Sequence, residues 1–357
     1  MTTVLQILPV LPPAPSGISD YAVILAAELR RIRGVESAFV ACAGEPSSEG
    51  VRLGRLDAAS LAAAIPERPD GVVVHFDFEV APLLDALRTV RRSTLAGVPL
   101  VVMFHELVPR WHIPWQRRLK YRVADLVGAR DPGPVAAPRR FAEEADHVVT
   151  NTIRFRQQLS DWLGGEEVEY LPSFSNIGEP SSRRPVPERT RRLVVFGSAG
   201  TRQRVYESFG ARLPEVASAF GITELCDVGP PMPEAPPSIP GVTTRATGVL
   251  PATEIGALLG DSLLGLIDYS HHPGTLGKSG VLAAYATHGT VAVAPRSLHA
   301  EEDGVIVGRH YLTLDSLGPS DPPLQEIADG AAEWYAAHSR SVCAERFADL
   351  LNVSRSA

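Results

Sequence analysis

Short, near-continuous apolar runs alternate along this chain with longer stretches in which Ala and Leu recur at helical spacing. That is the pattern of parallel strands buried on both faces and joined by helices. Strands are expected at residues 3–9, 38–41, 71–76, 100–104, 147–150 and 168–171, with a tight loop at 16–19 leading into a helix at 20–33. Residues 172–190 break both periodicities. They hold four prolines (Pro172, Pro180, Pro185, Pro187) among Ser, Asn, Gly and clustered Arg, and read as an interdomain linker.

The alternation then restarts, with strands expected at 193–197, 225–228, 243–246, 263–267, 291–294 and 304–307 and helices at 201–219, 253–260, 279–288 and 325–351. The predicted class is α/β, as two Rossmann-like doubly wound domains. Residues 1–172 form the first, 173–190 the linker and 191–330 the second. Residues 331–357 form a C-terminal helix long enough to cross back to the first domain. The stretch 229–240, with six prolines, reads as a stiff loop inside the second domain.

A chain of 357 residues is long enough for two full-sized cores. The 41 acidic and 34 basic side chains leave a net charge of −7, which gives no reason to expect nucleic acid as the partner. Cys42, Cys226 and Cys343 lie far apart without C-x-x-C spacing, so no disulfide framework or zinc knuckle is read and a reducing, cytoplasmic setting is expected. The first ten residues lack the basic start of a signal peptide, and no apolar run approaches the ~20 residues that span a bilayer. Only Lys120 and Lys278 are lysine, the other 32 cations being arginine, which draws attention to each surviving Lys.

Ligands of doubly wound sheets bind where strands end, and four strand-exit loops carry candidate chemistry. In Pro15-Ser16-Gly17-Ile18-Ser19-Asp20-Tyr21, Gly17 lets a ligand approach a helix N-terminus, although the same residues suit an ordinary turn capped by Ser19 or Asp20. His105 and Glu106 follow the apolar run ending at Phe104, where a His beside an acid can bind or polarise a substrate hydroxyl. Residues 196–204 combine small residues with Arg202 and Arg204 at a helix start, a candidate diphosphate site that is neither a Walker loop nor G-x-G-x-x-G.

The fourth loop, residues 268–280, places Lys278 between Gly277 and Gly280 at a helix start with Ser279. A point charge and free backbone N–H groups converge there. The adjacent pair His271-His272 lacks a third ligand, so no metal is assigned. Between the second and third loops, Trp111, Trp115, Arg117 and Arg118, with Arg110, Lys120, Tyr121 and Arg122, make a basic and aromatic cluster. It suits an anionic acceptor, a peripheral contact with the inner face of a membrane, or a solvated helix.

In order and spacing these segments resemble the GT-B glycosyltransferases, especially the retaining, family 4-like enzymes that use nucleotide-sugar donors. The resemblance rests on Ser16-Gly17-Ile18-Ser19-Asp20-Tyr21, Phe104-His105-Glu106, residues 145–151 (ADHVVTN), residues 248–255 (GVLPATEI) and residues 279–289 (SGVLAAYATHG). It departs at the family's E-x7-E, which falls on Leu276 and Ala284, so both carboxylates are absent.

The resemblance implies two domains facing each other across a cleft and metal-free transfer of a sugar from a nucleotide-diphosphate-sugar co-substrate to a glycan, lipid-linked or small-molecule acceptor. Gly17, Arg202, Arg204, Lys278, Ser279 and Gly280 would serve the donor, His105 and Glu106 the chemistry, and Trp111, Trp115, Arg117 and Arg118 the acceptor or membrane. The competing reading is a non-catalytic homologue that kept the fold and lost donor turnover. A two-domain epimerase or dehydrogenase is disfavoured by the missing dinucleotide fingerprint.

Overall fold

In a computed structural model of the chain, describing residues 2–65, 67–107, 133–271, 274–317 and 322–353, every strand pairing is parallel. The chain divides into two compact units, Met1–Pro172 with Arg340–Ala357, and Ser173–Ser339.

The first unit runs β1 (Thr3–Leu8), α1 (Gly17–Arg33), β2 (Glu36–Ala41), β3 (Val51–Arg52), α2 (Ala58–Ala63), β4 (Gly71–Phe76), α3 (Leu84–Arg91), β5 (Leu100–Phe104), α4 (Gly133–Glu144), β6 (His147–Thr150), α5 (Ile153–Trp162) and β7 (Glu169–Tyr170). Its sheet has the order β3-β2-β1-β4-β5-β6-β7. Chain direction away from β1 reverses between β1 and β4, the point at which doubly wound sheets bind ligands.

Side-chain alternation sorts the strands into faces. Leu5 and Ile7 of β1, Val72, Val74 and Phe76 of β4, and Val102 and Phe104 of β5 share one apolar core. Gln6, His75 and Met103 therefore stand on the opposite face, the first two fully buried in otherwise apolar strands.

The second unit contains β8 (Thr190–Phe196), α6 (Ala199–Phe209), α7 (Leu213–Ala219), β9 (Glu224–Val228), β10 (Thr243–Ala246), α8 (Ala252–Asp261), β11 (Ser262–Leu266), α9 (Gly280–His288), β12 (Val291–Ala294), β13 (Leu312–Thr313) and α10 (Leu324–Ala336). The order β10-β9-β8-β11-β12-β13 places its switch point between β8 and β11. Leu193 and Val195 face one core layer, Val194 and Phe196 the other. Residues 173–190 belong to this unit: Val186 joins its core, and buried Arg189 donates to the carbonyls of Ser262 and His288. A final helix, α11 (Arg340–Leu350), returns to the first unit, where Arg33 of α1 pairs with Glu345 and Asp349, and Arg346 reaches Glu169 at 2.7 Å.

Three expected elements differ. No strand forms at 304–307. Gly304 caps a 3-10 turn at φ +77°, the Ile306 N–H is taken by His310 Nδ1 at 2.8 Å, and the edge strand forms later as β13. The helix expected at 201–219 is cut by Gly210 at φ +48° and by Pro214 in the first turn of α7. The helix expected at 325–351 is interrupted after Ala336, and its two parts belong to different units.

Tyr285 of α9 welds the second switch point, its hydroxyl donating to Val194 O of β8 at 3.2 Å and to Leu266 O of β11 at 3.1 Å. Its ring lies directly over Gly265, where an added Cβ would sit 2.4 Å from Cζ. Gly265→Ala is accordingly expected to lower unfolding stability by about 2 kcal/mol or more, because a fully buried ring has nowhere to retreat. A urea midpoint unchanged from wild type would show that the ring can shift.

Candidate functional site

At the carboxyl edge of the first sheet, Ser16 caps α1 by accepting from Ser19 N at 3.3 Å, and Ser19 Oγ donates to Val10 O at 2.6 Å. Gly17 is thus the first residue of the helix rather than part of the loop before it, and a Cβ there would meet nothing within 4 Å among the described residues.

The β5 exit carries His105, 6% exposed, whose backbone N–H still bonds Phe76 O at 3.2 Å. His105 Nε2 lies 3.1 Å from His75 Nδ1, and His75 Nε2 lies 2.9 Å from Gln6 Oε1. The Tyr21 ring packs edge-on against both imidazoles, with centroids 5.0 Å from His105 and 6.0 Å from His75. Burial drives the His105 pKa down to about 3, and burial with the neighbouring His105 drives that of His75 well below normal, so both rings are neutral at physiological pH.

Glu106 is half-buried and shares this edge with Asp77 and Glu79. Burial raises the Asp77 pKa, and the two glutamates add to that effect, against hydrogen bonds from the Glu79 and Val80 amides. Asn151, at the end of β6, is 1% exposed and its Oδ1 has no hydrogen-bond partner among the described residues. Trp111, Trp115, Arg117 and Arg118, with Arg110, Lys120, Tyr121 and Arg122, lie outside the described residues.

In the second unit, the β8–α6 turn separates the two arginines grouped by sequence. Ser198 caps α6, accepting from Thr201 N at 3.2 Å. Arg202 is 1% exposed, and its guanidinium is held by Asp227 and by the carbonyls of Gly197 and Pro230. Asp227 also accepts from Tyr206 Oη at 2.8 Å. This packing admits only glycine at position 229, where a Cβ would lie 2.3 Å from Gly197 O. Arg202 therefore holds the turn together from a position that is 1% exposed. Arg204 is exposed, and its side chain reaches only Thr201 Oγ1, at 3.4 Å, among the described residues.

The β11 exit is pinned at several points. Gly277 N donates to Asp303 Oδ2 at 2.9 Å and Gly277 O accepts from Ser173 N at 2.8 Å, with Leu276–Lys278 forming a 3-10 turn. Ser279 caps α9, its hydroxyl accepting from Leu282 N at 3.1 Å, so that hydroxyl serves the helix. Half-buried Lys278 lies beside the first backbone N–H groups of α9, at Gly280. Asp268, 6% exposed, accepts from Ser270 N at 2.8 Å through Oδ1, while its Oδ2 and Ser270 Oγ are buried without partners among the described residues. Leu276 and Ala284 are both buried in the apolar core.

Gln6, His75 and Asp227 escaped the sequence reading, and Asp268 entered it only as the first residue of the fourth loop. The signal for the first two is a single polar residue inside an apolar parallel strand (TVLQIL, GVVVHF), which burial on both faces makes costly. Among the described residues, no group of three or more His, Cys, Asp or Glu side chains could hold a metal ion, and no helix is long and apolar enough to cross a membrane. The three cysteines are buried free thiols, and burial with Asp77 and Glu79 pushes Cys42 up to about 12.

No protein-family model matches the chain, and no curated protein matches it by sequence. Solved structures do match along nearly its whole length. An alpha-glucosyltransferase (AGT) in complex with UDP is 11% identical with a TM-score of 0.59, covering 99% of this chain and 100% of its own. S. aureus MnaA with UDP is 14% identical with a TM-score of 0.60, covering 100% and 98%. WaaG, a glycosyltransferase involved in lipopolysaccharide biosynthesis, is 14% identical with a TM-score of 0.56, covering 98% and 100%. At such identities it is the architecture that is shared, and this chain has the GT-B fold of two parallel-sheet, Rossmann-like units.

Proposed function

We propose that this protein is a glycosyltransferase that moves a sugar from a nucleotide-diphosphate-sugar donor to a glycan, lipid-linked or small-molecule acceptor, with retention and without a metal. The observation that carries the reading is the strand-exit loop before α9. There Lys278 and the N-terminal N–H groups of a capped helix stand beside the switch-point strand β11. Fixed cations and backbone donors of this kind can stabilise the charge of a departing diphosphate. That structures of the same fold hold UDP supports the choice of ligand.

In this reading Lys278, Arg204 and the α9 N-terminus with Gly280 receive the diphosphate. Ser279 and Arg202 shape the two loops, and Asp268 and Ser270 are completed by donor hydroxyls. Gly17, His105 and Glu106 serve the sugar and acceptor, as do Trp111, Trp115, Arg117 and Arg118 if they contact an acceptor or a membrane surface. An AGT structure of the same fold holds a 13-mer DNA, so a DNA duplex belongs among the acceptors tried.

Thermal unfolding against UDP, GDP, ADP, dTDP, CDP and NAD tests the donor site. Ligand at about 100 times its dissociation constant adds about 2.7 kcal/mol of stability. One nucleoside diphosphate is expected to raise the midpoint, and Lys278→Ala is expected to abolish most of the shift. A response that survives in Lys278→Ala would remove this loop from the site.

One observation favours a second reading, a binding subunit without turnover: the two E-x7-E positions, Leu276 and Ala284, are built into the core. Release of nucleoside diphosphate from a sugar donor by the purified protein decides between the two.

A further inference from the structure

A chain of side-chain hydrogen bonds crosses three neighbouring strands of the first sheet and ends at the proposed sugar site. Gln6 of β1, His75 of β4 and His105 at the β5 exit share one face by strand alternation. Register steps them toward the carboxyl edge, Ile7 pairing with Val74 and His75 with Met103. The Gln6 amide gives its NH2 group to Ser37 Oγ at 3.0 Å and turns its carbonyl oxygen to His75 Nε2 at 2.9 Å.

A carbonyl can only accept, so His75 Nε2 must carry the proton. With one proton on a neutral ring, His75 Nδ1 is a lone pair. His105 Nε2, 3.1 Å away, must then be the donor. The second nitrogen of His105 is left without a proton, and among the described residues nothing donates to it. Burial, which keeps both rings uncharged, supports this order.

We propose that Gln6 and His75 are positioning residues that hold His105 in its Nε2–H form, so that Nδ1 presents a lone pair to a hydroxyl of the bound sugar or acceptor. The identity of that hydroxyl rests on the transferase reading, whereas the proton order does not. A neutral, oriented imidazole of this kind accepts from a ligand O–H and rejects an anionic oxygen at the same position. The site is thereby selective for a hydroxyl over a phosphate or carboxylate.

Long-range proton–nitrogen NMR on the full-length protein with 15N-labelled histidine, at pH 7.5, tests the order directly. His105→Gln and His75→Asn assign the signals. The expected result is a protonated Nε2 and an unprotonated Nδ1 on both rings. A protonated Nδ1 on His105, or a doubly protonated ring, would overturn the proposal.

A second arm uses donor turnover, compared at equal folded fraction. In His75→Asn a side-chain carbonyl can take the place of Nδ1 and keep accepting from His105. In His75→Phe no acceptor remains there, and kcat is expected to fall about tenfold or more below His75→Asn, the worth of one hydrogen bond of this class. Equal kcat values in the two variants would leave His75 a packing residue. If wild type shows no turnover, the transferase reading fails while the NMR result still decides the proton order.

Discussion

Acidification from pH 6.5 to 4.5 is expected to cost the first unit about 5 kcal/mol of unfolding free energy through His75 and His105 alone. In the folded unit burial holds both rings neutral, His105 down to about 3 and His75 well below its usual value, whereas in the unfolded chain each titrates near 6.5. Above pH 6.5 neither state binds the extra proton and the pair contributes no pH dependence. As pH falls below 6.5 the unfolded chain takes up protons that the folded unit refuses, and stability drops by about 1.4 kcal/mol per pH unit for each ring.

Asp20 and Asp77, whose pKa values burial raises, act in the opposite sense, because the folded form binds their protons first. Urea unfolding of wild type and His75→Asn across this range isolates the histidine part. The variant is expected to show a slope shallower by about 1.4 kcal/mol per pH unit. Parallel slopes would mean that His75 is protonated in the folded unit, which would also undo the proton order inferred for His105.

The sheets were the part of the fold most open to sequence reading. A parallel strand buried on both faces is a continuous apolar run with polar ends, and 71–76, 100–104, 147–150 and 291–294 coincide with such strands to the residue. The run 304–307 has the same composition and forms none, because neighbouring loop groups claim its backbone, a tertiary choice that composition does not encode.

The site shows the same limit. Arg202 and Arg204 read alike in a loop of small residues. Two residues on a helix are about 200° apart, so one side chain turns into the core with Val205 and Phe209 and the other out to solvent. Spacing with Val205 and Phe209 was the available signal. Nothing comparable identifies Asp227 as the partner of Arg202, since that pairing depends on β9 lying beside β8.

Asp227→Ala is expected to be the most damaging single substitution in the second unit, at about 3–5 kcal/mol of unfolding free energy. It would strand the Arg202 guanidinium, 1% exposed, among carbonyls that cannot neutralise it, and would remove the acceptor of Tyr206 Oη. An arginine guanidinium in a protein keeps its charge. The cost therefore comes from an uncompensated buried ion rather than from one lost contact.

That origin makes a second outcome calculable. Arg202→Met combined with Asp227→Leu removes both charges and keeps apolar volume, and is expected to recover most of the stability lost in Asp227→Ala alone. It is not expected to recover the nucleotide-dependent thermal shift in full. The Gly197 carbonyl and the Pro230 carbonyl lose the donor that fixes the β8–α6 turn, and Arg204 with it. Chemical denaturation of the three proteins measures the first effect and thermal shift with the responding nucleoside diphosphate the second. A double variant that remained as unstable as Asp227→Ala would show that the hydrogen bonds of Arg202 to the two carbonyls, rather than charge balance, hold this turn.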